Sequence, residues 1–77
     1  MTIKMVDVTL HINEETNASD REAVRDRILA EDGVMAVDYH DDKPHLLIVE
    51  YNPDVINSKK FVDIVESFNM HAELVGL

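Results

Sequence analysis

Leu46-Leu47-Ile48-Val49-Glu50-Tyr51-Asn52-Pro53 is the stretch whose reading decides the fold. Leu46 to Tyr51 is a dense aliphatic and β-branched run of strand length, interrupted only by Glu50. Asn52-Pro53 closes it, because proline has no amide to give to a ladder. Immediately upstream, Asp41-Asp42-Lys43-Pro44 has the residues of a turn, and Val34, Val37 and Tyr39 before it belong to another strand. Ser19, followed three positions later by Glu22, has capping-box spacing and predicts the start of a first helix. Val24 and Ile28 lie on its apolar stripe, and Gly33 suits the left-handed position after its end. The polar segment Asn13-Glu14-Glu15-Thr16-Asn17-Ala18 is a loop. Ahead of it a strand is predicted from Ile3 to Ile12, with Val6, Val8, Leu10 and Ile12 on one face and Asp7, Thr9 and His11 on the other.

Downstream of Pro53, Asn57-Ser58 can cap a second helix whose stripe is Phe61, Ile64, Val65 and Phe68. Asn69 suits the left-handed position after it, and Met70 to Leu77 forms a last strand. Strand-helix-strand-strand-helix-strand implies one domain over residues 1–77 of the α+β class. The architecture is a ferredoxin-like βαββαβ two-layer sandwich, with an antiparallel sheet in the order 4-1-3-2 and both helices on one face.

Composition narrows the chemistry. The 77 residues contain no cysteine, which rules out disulfides and thiolate metal sites. A formal charge of −9 repels phosphate backbones and anionic lipid, so neither nucleic acid nor membrane is an expected partner. Cations and basic protein surfaces are favoured instead. No signal-peptide pattern opens the sequence and no apolar run is long enough for a bilayer, which makes the cytoplasm the expected compartment.

Three stretches carry a resemblance to a known family: Asp32-Gly33-Val34, Val49-Glu50-Tyr51-Asn52-Pro53, and Ile64 to Val75. In their order and spacing the chain resembles the heavy-metal-associated domain of copper chaperones and metal-pumping ATPases, over nearly its whole length. That family carries Cys-x-x-Cys between the first strand and first helix, where two thiolates bind Cu(I), Zn(II) or another soft ion. Counted back from Gly33-Val34, those positions fall on Asn17 and Asp20. Neither is a soft ligand, so the resemblance implies a degenerate member to which the Cu(I) chemistry does not carry over.

The predicted topology gathers other groups at the same pole. His11, His40, His45 and His71 each fall where a strand or helix reaches it, along with Glu14, Glu15, Asp20, Asp41 and Asp42. Imidazole and carboxylate are ligands for Zn, Ni, Cu(II) or Co, and for Mn where carboxylates dominate. The candidate metal residues are thus His11, Glu14, Glu15, Asp20, His40, His45 and His71, while separate solvated histidines are the alternative. With acids close by, at least one histidine is expected to have a raised pKa.

A second candidate surface is the sheet face without helices. Ile3, Met5, Leu46, Ile48, Val75 and Leu77 point there by parity. They form a surface for a basic-surfaced protein partner or for a weak homodimer. Catalytic constellations and phosphate-cradling glycine loops are missing from the sequence, so no enzyme activity is expected. Two functions remain open. One is a metallochaperone-like module holding a borderline or hard divalent ion weakly; the other is a metal-free interaction module.

Overall fold

Alternation along the strands decides which way the sheet faces. In the computed structural model, which describes residues 4–40 and 42–75, Val8, Leu10, Ile12, Leu47 and Val49 are all buried on one side. The elements run β1 (Val6–Ile12), α1 (Ala18–Leu29), β2 (Val34–Tyr39), β3 (Leu46–Tyr51), α2 (Lys59–Glu66) and β4 (Ala72–Val75). The four strands form one antiparallel sheet in the order β2-β3-β1-β4, the predicted order counted from the opposite edge. Register places Val8 opposite Val49 and Leu10 between Leu47 and Leu74, so the core rows interlock across the central strands.

Both helices cover that face. Val24 and Ile28 of α1 and Phe61, Ile64 and Val65 of α2 join the strand residues in a single apolar cluster. Phe61 meets Tyr51 edge-on at 5.1 Å between ring centroids, a geometry favoured by the ring quadrupoles. Among the described residues, no helix is long and apolar enough to cross a membrane.

The element ends differ from the sequence reading in ways that have local causes. β1 begins at Val6, whose ladder partner Tyr51 is the last residue of β3. Beyond Tyr51 the chain turns away, with the Asn52 amide bonded to the Gly33 carbonyl at 2.8 Å, and Met5 has no rung to join. α1 is capped by Asn17, not Ser19: Asn17 is extended (φ −94, ψ 175) and its side chain accepts the Asp20 amide. α1 ends at Leu29, earlier than Gly33. That glycine does adopt a positive φ of 93, but in the turn into β2. At α2 the capping oxygen belongs to Asn57, which accepts the Lys59 amide at 2.8 Å, while Ser58 makes no side-chain cap. The helix stops at Glu66, leaving Phe68 exposed beyond it, and Asn69 has the expected left-handed conformation at φ 63.

One irregularity rescues a parity conflict. Val34 and Val37 are an odd number of residues apart, yet both pack toward the core. A register shift between Val34 and Ala36 makes this possible. Met35 takes up the extra residue as a bulge and is 65% exposed.

Candidate functional site

The loop from Asn13 to Asn17 is held by groups from three other parts of the chain. The Ile12 amide donates to the His45 carbonyl and the Asn13 amide to the His71 carbonyl, each at 2.8 Å. The end of β1 is thus clamped between the β2–β3 turn and the approach to β4. Imidazoles reinforce both clamps. His45 Nδ1 lies 2.7 Å from the Ile12 carbonyl. Since a carbonyl only accepts, Nδ1 carries the proton there.

On the other side, Glu14 receives the His71 amide at 2.7 Å through one carboxylate oxygen and His71 Nδ1 at 2.6 Å through the other. The hydrogen bond and charge of Glu14 raise His71 above the ordinary histidine pKa. The side-chain hydrogen bond from His71, followed by that of its amide, lowers Glu14.

The His11 and His45 rings stack with centroids 5.6 Å apart and planes 16° from parallel. Imidazole lone pairs lie in the ring plane, so two nearly parallel rings do not aim theirs at a common point. His40, Glu15 and Asp20 are exposed. Asp41, Ile3 and Leu77 lie outside the described residues. Among the described residues, no group of three or more histidines and carboxylates is arranged to hold a metal ion.

At Asn17 and Asp20, the two positions to which the resemblance assigns cysteines, the Asp20 amide donates to Asn17 Oδ1 at 2.8 Å. These are the N-cap residue and the third residue of α1, so the bond satisfies one of the helix's otherwise unpartnered amides. Neither side chain offers a soft donor, and the asparagine oxygen is already engaged. The pair does not fit Cu(I).

Arg21 is the residue that sequence reasoning missed. It is only 6% exposed, and its Nη1 donates to the Thr16 carbonyl at 2.8 Å and to Thr16 Oγ1 at 3.2 Å. Thr16 Oγ1 in turn donates to the Pro44 carbonyl at 2.9 Å. The guanidinium also sits 5.6 Å from the Tyr39 ring centroid, within cation–π range. A buried arginine therefore ties the first loop to the β2–β3 turn. A signal was present: Arg21, Val24 and Ile28 fall on one helical stripe, which marks Arg21 as inward-facing.

Of the outward-parity aliphatics, Ile48 and Val75 are exposed, and Leu46 and Met5 are half-buried. Thr9 lies directly between Val75 and Ile48 in register, on the face opposite the helices.

No protein-family model and no curated protein matches this sequence. Its fold, however, is shared by several solved domains. Oxidized MerP from Ralstonia metallidurans CH34 superposes with a TM-score of 0.83 at 16% identity, covering 95% of this chain and 100% of that one. A copper binding domain from HMA7, a P-type ATPase, gives 0.80 at 14% identity, covering 91% and 93%. The N-terminal domain of PacS from Synechocystis PCC6803 gives 0.75 at 17% identity, covering 92% and 98%. At such identities the likeness establishes a shared architecture, the ferredoxin-like βαββαβ fold.

Proposed function

We propose that this chain is a small non-enzymatic binding module on a metallochaperone scaffold, working by protein contact. The coordinating end of the scaffold has become a hydrogen-bonded cap. The observation that carries this reading is the bond from the Asp20 amide to Asn17 Oδ1. The two positions to which the resemblance assigns thiolates here fix the start of α1. The solved domains sharing the fold, among them one named as copper binding, support a binding use of the architecture over a catalytic one. The formal charge of −9 favours a basic partner.

The test is competition for Cu(I) against a coloured chelator, with wild type beside the double variant Asn17→Cys/Asp20→Cys. Wild type is expected to leave the chelator complex intact. The variant, with thiols at a helix N-terminus where thiolates are stabilised, is expected to withdraw copper. Stoichiometric withdrawal by wild type overturns the reading.

A second reading, a borderline divalent ion held at the histidine pole, is favoured by one observation. With Nδ1 of His45 bonded to the Ile12 carbonyl, Nε2 is the ring nitrogen left for a ligand, in a ring that stacks on His11. Outer hydrogen bonding of this kind orients histidine ligands generally. Titration with Zn, Ni, Cu(II), Co and Mn, followed by imidazole NMR shifts, decides it. Saturable shifts confined to His11, His45 and His71 at micromolar metal favour this reading over protein contact.

A further inference from the structure

Charge is sorted in this fold by element. α1 holds three arginines and three acids, and α2 two lysines and two acids, so each helix is balanced. The strands hold four carboxylates, Asp7, Asp38, Glu50 and Glu73, and neither lysine nor arginine. Their sequence neighbours Val8, Val37, Val49 and Leu74 pack against the helices, so all four acids project from the open side of the sheet.

Between those acids runs an apolar row. Val75, Thr9 and Ile48 are neighbours across β4, β1 and β3, with Ile48 37% and Val75 44% exposed. Asp38 closes the row on β2. Asp7 and Glu50 stand directly opposite each other on the two central strands. Like charges in that relation repel, and a cation supplied from outside would relieve the repulsion.

We infer that the open sheet face docks a partner protein surface that is basic around an apolar centre, an inference that rests on the protein-contact reading above. Lysine or arginine side chains of the partner meet Asp7 and Glu50, and its aliphatic groups cover Ile48 and Val75. The same charges select against other occupants. A second copy laid face to face sets two identical groups of carboxylates together with no countercharge. Nucleic acid and anionic lipid are repelled by the field. Four strands about 4.8 Å apart and about 20 Å long offer roughly 300 Å². Stable interfaces bury about 800 Å² per partner, which makes this a transient contact.

The experiment is amide NMR of the whole chain titrated with a synthetic lysine–leucine amphipathic helix. An equally charged lysine–serine peptide and a glutamate–leucine peptide serve as controls. Saturable shifts at Asp7, Thr9, Ile48 and Glu50 are expected with the lysine–leucine peptide alone. Raising ionic strength from about 50 to about 300 mM should weaken binding about threefold or more, because the screening length shortens. The charge-neutralising variant Asp7→Asn/Glu50→Gln should bind the peptide less tightly and melt at a higher temperature, a combination that a merely structural role does not produce.

Shifts confined to residues 13–20 or to the helices overturn the docking face while leaving the protein-contact reading intact. An equal response to the lysine–serine peptide reduces the effect to diffuse charge and overturns the inference. So does sedimentation equilibrium showing a dimer that tightens with salt and is abolished by Ile48→Glu, since the occupant is then a second copy. Copper withdrawal by wild type in the chelator competition strikes the protein-contact reading separately.

Discussion

Glu14 and His71 lie 57 positions apart and meet through both oxygens of one carboxylate, which receives the His71 backbone amide and the ring Nδ1. The pair joins the loop ahead of α1 to the approach to β4. The charge state of one exposed dyad therefore bears on two segments at once.

Its pH dependence has two limits. His71 is raised above the ordinary histidine value of 6.5, so its contribution is fully present below that unfolded value and is lost as pH rises through the higher folded one. Glu14 is lowered from 4.5, so its contribution is present above that unfolded value and is lost as pH falls through the lower folded one. Both operate fully between 4.5 and 6.5. The difference in melting temperature between wild type and Glu14→Gln should be largest in that window and shrink on the alkaline side. The His71 imidazole should also titrate at lower pH in the variant. Identical titration curves in the two proteins would show that the dyad does not form.

Asn17→Ala removes the oxygen that accepts the Asp20 amide. The expected cost is about 1 kcal/mol, within the ~0.5–2 kcal/mol range for caps of this kind. Ser19→Ala, inside the first turn, should change stability by no more than about 0.5 kcal/mol. Urea midpoints at constant m-value measure both, and a larger loss at Ser19 would contradict the assignment of the cap.

Arg21→Met keeps the buried stem but deletes the donors to Thr16. A loss of about 1–3 kcal/mol is expected, the usual penalty for breaking buried polar contacts. Arg21→Lys should recover only part of it, because a single ammonium does not reproduce the planar fork. The loss should appear in urea melts, and the amides of residues 13–17 should exchange faster with solvent.

Gly33→Ala meets two obstacles. The position has φ 93, and an added Cβ would lie 2.9 Å from Val55 side-chain carbons. Left-handed backbone alone costs a non-glycine residue about 1–2 kcal/mol, and the contact adds to it. Val55→Ala in the same chain should return part of the loss by removing one of the two close carbons. No recovery would mean that the backbone term carries the whole effect.

Most of the architecture was legible because it rests on alternation and helical spacing. Val8, Leu10 and Ile12, like Phe61, Ile64 and Val65, declare their buried faces through period alone, and the element order then fixes the sheet. Boundaries were less legible because competing caps look alike in sequence. Ser19 and Asn17 both precede an acid by three residues, and only the extended backbone at Asn17 decides between them. The site was least legible. The pole where His11, His45 and His71 meet the end of β1 could be reached from topology, but the pairing of Glu14 with His71 depends on side-chain directions across 57 positions. Arg21 was obscured by its type, since an arginine on an apolar stripe reads as a surface residue until its partners are seen.

The bulge at Met35 has a consequence beyond the parity of its neighbours. Among the described residues β2 pairs only with β3, so its other side is an open border of backbone donors and acceptors. A regular strand there would be a template for another chain to zip onto. The extra residue breaks the even spacing of that border near its start, and a break of this kind bends and twists the strand. Deleting Met35 would restore the spacing and leave Val34 and Val37 two positions apart, both still facing the core by plain alternation. The shortened chain would then keep its core but carry a continuous sticky border, a template for edge-to-edge assembly that the wild-type sequence interrupts with a single residue.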